Sequence, residues 1–358
     1  MLLGVLSSPT PMLRTGALLA ISDLAPSLVA DIDEDGVTMR MIDGLDELDV
    51  QRVPLAHSCM TCSLREGIAP YLAGLADSGL ERLVLALPVS VEALTVTPSL
   101  CDLTVAGGPL EGITVTTQLH LVDLGTSRDD LFAHTPLAEL GLAMFSGDER
   151  CTGEVLMNGV GYADLVCALG DEGVGDAALG LELVEHLRPL DTLMIRHLDE
   201  LDERLLFSEA HDPDRAITRV HPASTEAWGG PSDHGVWTLD LHSERPFHPG
   251  RLAASAADLA PEGVCARGCF WIPSRPTMIG TWEVSGGSAS IGRAGEWDSD
   301  AFTHLVVTGV GTDSDKRAVA EAFERLLMTP EEMADALAWV GVSDGMDSWF
   351  GDEAGADS

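Results

Sequence analysis

The sequence predicts an α/β chain in two parts: a domain built on a parallel sheet, followed by a smaller α+β domain. Continuous apolar runs at Leu83–Leu87, Val115–Val122 and Leu165–Leu169 are of the kind that fill strands buried on both faces, and helical segments separate them. That alternation places a parallel sheet with crossover helices in residues 1–200. The texture then changes: Asp, Glu, His, Pro and Gly accumulate through Pro213, Pro222, Gly229, Gly230 and Pro231, which marks residues 201–234 as a linker or long loop. Strand-length runs resume at Gly235–His242, Cys269–Ile272, Thr281–Val284 and Leu305–Val310, so residues 235–345 read as the second domain and 346–358 as an acidic tail.

The elements follow in order. Leu3–Ser7 is a first strand, Ser7-Ser8-Pro9-Thr10-Pro11 a loop, and Gly16–Ile21 the start of a helix. A phosphate cradle at this place carries G-x-x-x-x-G-K-[ST], whose backbone N–H groups wrap the phosphates while the Lys neutralises them. Ser8-Pro9-Thr10-Pro11-Met12-Leu13-Arg14-Thr15 has neither the glycines nor the Lys, and its prolines remove two N–H donors. Thr38–Ile42 and Arg52–Leu55 are short strands around an acidic turn, and Gly67–Leu75 has helical spacing. In the second domain Pro249–Leu259, Asp315–Leu327 and Pro330–Trp339 read as helices.

The chain has 358 residues, 45% of them apolar, enough for two cores. Its formal charge of -38 repels nucleic-acid phosphates and anionic lipid, so a protein partner is expected, with no direct nucleic-acid contact and no membrane. The acidity serves either solubility or a specific cationic partner. No apolar run reaches membrane-spanning length and the opening Met1–Leu6 is too short for a signal segment, so a cytoplasmic location is expected. Seven cysteines, odd in number and mostly isolated, argue for reduced thiols with one metal or redox site.

That site is Cys59-Met60-Thr61-Cys62, where one turn brings two thiols to a point, as zinc or a reversible disulfide requires. Zinc prefers four donors, so His57, adjacent in sequence, and a group supplied by the fold would complete it. The plainer alternative is that both thiols are small buried residues. Cys265 and Cys269 suit core filling, His248 in its Arg-Pro-Phe-His-Pro turn a structural hydrogen bond, and Trp271, Trp282 and Trp297 a hydrophobic cluster.

Cys59-x-x-Cys62-Ser63-Leu64-Arg65 resembles the G-C-x-C-C-T-L-R segment of CobW-like metal-handling GTPases, and Asp148–Val166 matches a later family stretch. Arg245–Leu252, Arg267–Pro276 and Ala294–Trp297 resemble the CobW C-terminal domain in order and spacing. The resemblance implies a P-loop-GTPase-like first domain without a functional P-loop, followed by a CobW C-terminal domain. The family's E-x-x-G switch falls on Ala86-Leu87-Pro88-Val89, and N-K-x-D falls on Ala168-Leu169-Gly170-Asp171-Glu172, so switch, base-recognition and phosphate motifs are all lost. Ser58 and Thr61 replace a Gly and a Cys of the metal motif.

These departures, set beside the retained C-x-x-C, lead to the expectation of a nucleotide-independent protein of zinc homeostasis that binds zinc weakly and engages another protein, with GTP binding unlikely. Resemblance to degenerate actinobacterial members implies recruitment of a hibernation factor to the ribosome when zinc is scarce. The alternatives are a GTP-dependent zinc metallochaperone and a thiol redox switch.

Overall fold

The computed structural model describes residues 1–55 and 60–350 and divides into two compact units, the first reaching Ile217 and the second formed mainly by the chain from Thr218. The first is a mixed eight-stranded sheet in the order β4-β3-β2-β5-β1-β6-β7-β8. Its strands are β1 (Leu2–Ser7), β2 (Ser27–Asp33), β3 (Gly36–Asp43), β4 (Asp46–Pro54), β5 (Arg82–Ala86), β6 (Thr114–Asp123), β7 (Leu165–Leu169) and β8 (Leu193–Ile195). β1 lies between β5 and β6, parallel to both, with Val5 opposite Leu85 and Gln118. Only the β2-β3-β4 end runs antiparallel. This is a mixed α/β architecture on a largely parallel sheet, with β1 central and its C-terminal end at the place where crossovers leave to opposite sides.

Apolar side chains hold this sheet against its helices. Leu6, Val84, Leu119, Leu121 and Leu165 pack with Leu13, Ala17 and Ile21 from helix α1 (Pro11–Ala20) and its end. Burial of each such side chain contributes about 2 kcal/mol. The helix begins at Pro11 rather than Gly16, because Thr10 Oγ1 accepts the Leu13 N–H at 3.3 Å and Pro11 occupies the first helical turn, where no N–H is needed. Helices α2 (Ala69–Asp77), α3 (Thr152–Tyr162) and α4 (Ala177–Leu187) complete the layers. The expected short strands at 38–42 and 52–55 are parts of a longer hairpin. β4 carries almost no signal in the sequence because it is an edge strand, solvent-exposed along nearly all its length, so its residues do not alternate.

Residues 201–234, read as linker, hold two short helices, Glu203–Phe207 and Pro213–Val220. The second unit is a five-stranded antiparallel sheet in the order β12-β11-β10-β13-β9. Its strands are β9 (Val236–Ser243), β10 (Val264–Phe270), β11 (Met278–Ser285), β12 (Ser288–Glu296) and β13 (Thr303–Val310). Helices α5 (Pro249–Ser255) and α6 (Asp313–Leu326) accompany it, and Phe247, Leu252, Phe270, Trp282, Leu305 and Phe323 form the core. β12, an edge strand of Ser, Gly and Ala, escaped sequence reading for the same reason as β4.

Candidate functional site

Of the three residues expected to ligate zinc, His57 and Cys59 lie outside the described residues, and Cys62 lies within them. Cys62 is half-buried in a single helical turn, Met60–Ser63, that passes into a π-helical turn, Leu64–Ile68, and then into α2. π-turns interrupt helices at a cost and concentrate at functional positions. Here the turn sets Ser63, Leu64, Gly67 and Ile68 inward while Arg65 and Glu66 stay exposed. Gly67 is required by packing, since a Cβ there would stand 2.6 Å from Val37 Cγ1 on β3. Among the described residues no three His, Cys, Asp or Glu side chains converge as metal ligands. The described part of the candidate site is thus one partly accessible thiol on a firmly packed turn.

The end of β1, where a GTPase holds phosphate, spends several of its hydrogen-bonding groups internally. Only Ser8, Pro9 and Thr10 separate strand from helix. Thr10 donates its N–H to Ser8 Oγ at 3.4 Å, Ser8 Oγ donates to Thr10 O at 2.8 Å, and the Leu13 N–H goes to Thr10 Oγ1. Pro9 and Pro11 offer no donor. Arg14, at the position of the phosphate-neutralising cation, points elsewhere: its guanidinium donates to Ala30 O at 3.2 Å and Leu87 O at 3.1 Å and pairs with Asp31 at 2.7 Å. It clamps α1 to β2 and to the exit of β5.

The loop that replaces the switch segment is fastened to the same place. Ser90 has φ of 61°, the one non-glycine residue with positive φ among the described residues. Such a conformation costs about 1–2 kcal/mol and persists only when its surroundings fix it. Three bonds do so: Ser90 N–H to Ser8 O at 2.9 Å, Ser90 Oγ to Pro9 O at 3.1 Å, and Arg150 to Ser90 O at 3.1 Å. Arg150 also pairs with Glu92 at 3.2 Å and Asp148 at 2.8 Å. Asp171, the remnant of base recognition, accepts the Gly173 N–H at 2.9 Å and so caps its own turn.

Beneath this loop lies a buried polar network. His120 Nδ1 is 2.9 Å from Ser7 Oγ, which also accepts from Gln118 Nε2 at 3.2 Å, while Thr97 donates to Gln118 Oε1 at 3.1 Å. Ser7 Oγ donates to Leu119 O at 3.3 Å, which leaves His120 as the Nδ1–H donor with a bare Nε2 that has no partner. Burial holds its pKa down at about 4, so the ring is neutral at ordinary pH. It sits against α3 at Gly159, where an added Cβ would meet the ring at 2.2 Å. Ser90, His120 and Arg150 escaped sequence reading because their roles arise from neighbours distant in the chain.

Other expectations resolve plainly. Cys265 and Cys269 are buried on β10, and burial pushes both thiols up to about 12. They fill space. His248 caps α5, its Nδ1 accepting the Arg251 N–H at 3.3 Å. The tryptophans divide: Trp282 is in the core, whereas Trp297 is half-buried against Phe302 at 5.0 Å and donates to Met278 O. No described helix is long and apolar enough to cross a membrane.

Residues 236–327 match the cobalamin synthesis protein cobW C-terminal domain. The chain is 25% identical over 242 residues to the zinc chaperone Rv0106 of Mycobacterium tuberculosis and, to the same degree, to the uncharacterized protein Mb0109 of Mycobacterium bovis. The match takes in 57% of this chain and 56% of each relative, so this chain spans about half the length of the relatives it matches. A distant likeness links it to the Zn(II)-bound YjiA GTPase of E. coli, with a TM-score of 0.40, 12% identity, and coverage of 91% of this chain and 98% of that one. Residues 236–327 thus match a cobW C-terminal domain, and the chain is similar over about half its length to the mycobacterial relatives.

Proposed function

We propose that this protein is a nucleotide-independent, CobW-like factor of zinc homeostasis, in which zinc at Cys59 and Cys62, helped by His57, governs engagement of a protein partner. The observation that carries the nucleotide-independent part is the closed set of bonds among Ser8, Thr10 and Ser90, with Arg14 turned onto Asp31. A phosphate cradle needs free, convergent N–H groups, and here those of Thr10, Leu13 and Arg14 are used and two are replaced by proline. Zinc handling is supported by the cobW C-terminal domain match and by the zinc chaperone among the relatives. Cys62 is suitably placed as a half-buried thiol on a rigid turn. Zinc would supply the link between two ligand-bearing segments, and the chain's part is to present deprotonated sulfur at a fixed spacing. With one family cysteine replaced by Thr61, the site is a weak, regulatory one. A factor associated with ribosome hibernation is the partner the sequence resemblance favours.

The second reading, a GTP-dependent zinc metallochaperone, is favoured by the named chaperone relative alone. Calorimetry separates the two: GTP with magnesium produces no binding heat on the first reading, and micromolar binding overturns it. Zinc titration of the wild type against Cys59→Ala/Cys62→Ala tests the metal arm, which fails if both take up zinc equally. A pull-down from zinc-replete and zinc-starved cells tests the partner arm, and identical partners in both would remove it.

A further inference from the structure

Helix α1 packs on the face of the sheet that carries Val29 of β2, through Leu13, Ala17 and Ile21. In the β2–β3 pairing Val29 stands opposite Arg40 and Ser27 opposite Ile42, so these four side chains share one face. The alternate side chains of β3, Val37, Met39 and Met41, are buried on the other face. Between α1 and the β2–β3 hairpin a recess of about 320 Å3 remains, lined by Leu18 and Leu19 of the helix, Val29, Arg40 and Ile42 of the strands, and Leu45 of the turn into β4. That is the lower end of the range for ligand pockets and room for about ten water-sized groups. Leu19 and Leu45 are 55% and 81% exposed, so two large apolar side chains are presented to solvent at its border.

Two guanidiniums line the recess, and they differ. Arg14 is spent, since it donates to Ala30 O and Leu87 O and pairs with Asp31. Arg40 is not. Its Nη1 bonds Asp31, its Nε stands 3.9 Å from Glu47, beyond hydrogen-bonding distance, and its Nη2 has no partner among the described residues. Nε and Nη2 form the edge of a guanidinium that holds a carboxylate in a fork. Two arginines on one Asp31 leave a single positive charge over, beside an apolar wall, on a chain whose formal charge of -38 repels anions elsewhere. One such charge suits a monoanion. A phosphate dianion would be left half neutralised, with Glu47 next to it.

We propose that this recess binds a small aliphatic monocarboxylate, its carboxylate on the Nε–Nη2 edge of Arg40 and its chain among Leu18, Leu19, Ile42 and Leu45. Glu47 is the side chain that the ligand displaces from that edge. The site goes beyond the zinc reading and stands independently of it.

Calorimetric titration of the full chain with octanoate tests this. Octanoate binds one to one, and both octan-1-ol, the chain without the charge, and acetate, the charge without the chain, bind at least tenfold more weakly. Arg40→Met keeps the apolar stem, removes the fork and loses at least tenfold in octanoate affinity, whereas Glu47→Gln removes the competing charge and gains about threefold. Equal binding of octanoate and octan-1-ol, an affinity unchanged in Arg40→Met, or no saturable heat up to about 10 mM octanoate overturns the proposal. Should Arg40→Met lose its native circular dichroism, Glu47→Gln decides alone, because this carboxylate is 54% exposed and its loss spares the fold. No gain in that variant overturns the proposal equally.

Discussion

The end of β1 and the loop holding Arg275 are both places where a family motif is expected, and they have gone opposite ways. At the end of β1 the motif residues are absent, and hydroxyls, carbonyls and the uncharged ring of His120 bond to one another there, flanked by the ion pairs of Arg14 and Arg150. At Arg275 the motif residue is retained, and the chain's own extension supplies its counter-charges, Asp344 and Asp347. At the centre of the first region neutral hydrogen bonds predominate, with ion pairs at its edge, whereas at the centre of the second an ion pair does. The two regions should therefore fail under different conditions, which makes the contrast open to experiment.

The largest effect is expected at Arg275. Removing it strands the Asp344 carboxylate, whose side chain is 1% exposed, and breaking a buried pair from one side costs about 4 kcal/mol. Denaturant unfolding of Arg275→Ala should show that loss, while the conservative Arg275→Lys recovers only part of it, because an ammonium cannot bond both carboxylate oxygens in a fork. A loss below 1 kcal/mol would mean the clasp is loose in solution.

Acid separates the regions next. The folded His120 has a pKa of about 4 against an ordinary 6.5, so the unfolded chain takes up its proton first. Stability from this group is complete above pH 6.5 and is lost as pH falls toward 4, in total about 3 kcal/mol. For Asp344, burial alone would raise the carboxyl, but hydrogen bonds from Arg275, Ser274 and the Met346 N–H hold it down at about 2 against 3.8. Its contribution is complete above pH 3.8 and is lost as pH falls toward 2, about 2 kcal/mol. Unfolding free energies measured across pH should fall in two windows, and His120→Asn should flatten the upper one only. A flat profile between pH 6.5 and 4 in the wild type would mean water reaches the ring.

The contrast also shows what a sequence can carry. Buried parallel strands such as Leu83–Leu87 were legible because burial on both faces leaves a continuous apolar run. β4 and β12 were not, since an exposed edge strand has no hydrophobic face to write into the sequence. The absence of the cradle's glycines and Lys at Ser8–Thr15 could be read directly from residue types, because missing glycines and added prolines act on their own backbone. The roles of Ser90 and Arg150 could not, since Ser90 matters through Ser8 and Pro9, and Arg150 through Ser90 and Glu92, all remote in sequence. Arg275 stood in a quoted motif, but its partners lie 69 and 72 residues away. Of the candidate metal site, the C-x-x-C spacing was legible, and the π-turn that positions Cys62 had no periodic signature.

A smaller effect tests whether the neutral network is as tightly fitted as its bonds imply. Gly159→Ala places a Cβ against the His120 ring, which must tilt away from Ser7 or push α3 outward. Overpacking of that kind costs about 2 kcal/mol. Thermal melts at pH 7.5 should show it, and His120→Ala in the same chain should relieve the clash, so that the double variant loses less than the sum of the singles.

The smallest effect concerns the loop itself. Ser90→Ala keeps the strained backbone and removes the bond to Pro9 O, a loss of about 1 kcal/mol. Ser90→Gly removes the same bond but relaxes the positive φ, and the two changes nearly cancel. If the bonds to Ser8 and Pro9 hold the loop closed, hydrogen exchange of Val89–Val91 amides should quicken in both variants, although only Ser90→Ala is destabilised. A loop that exchanges freely in the wild type would instead be open already. The case against nucleotide would then rest on Pro9, Pro11 and Arg14 alone.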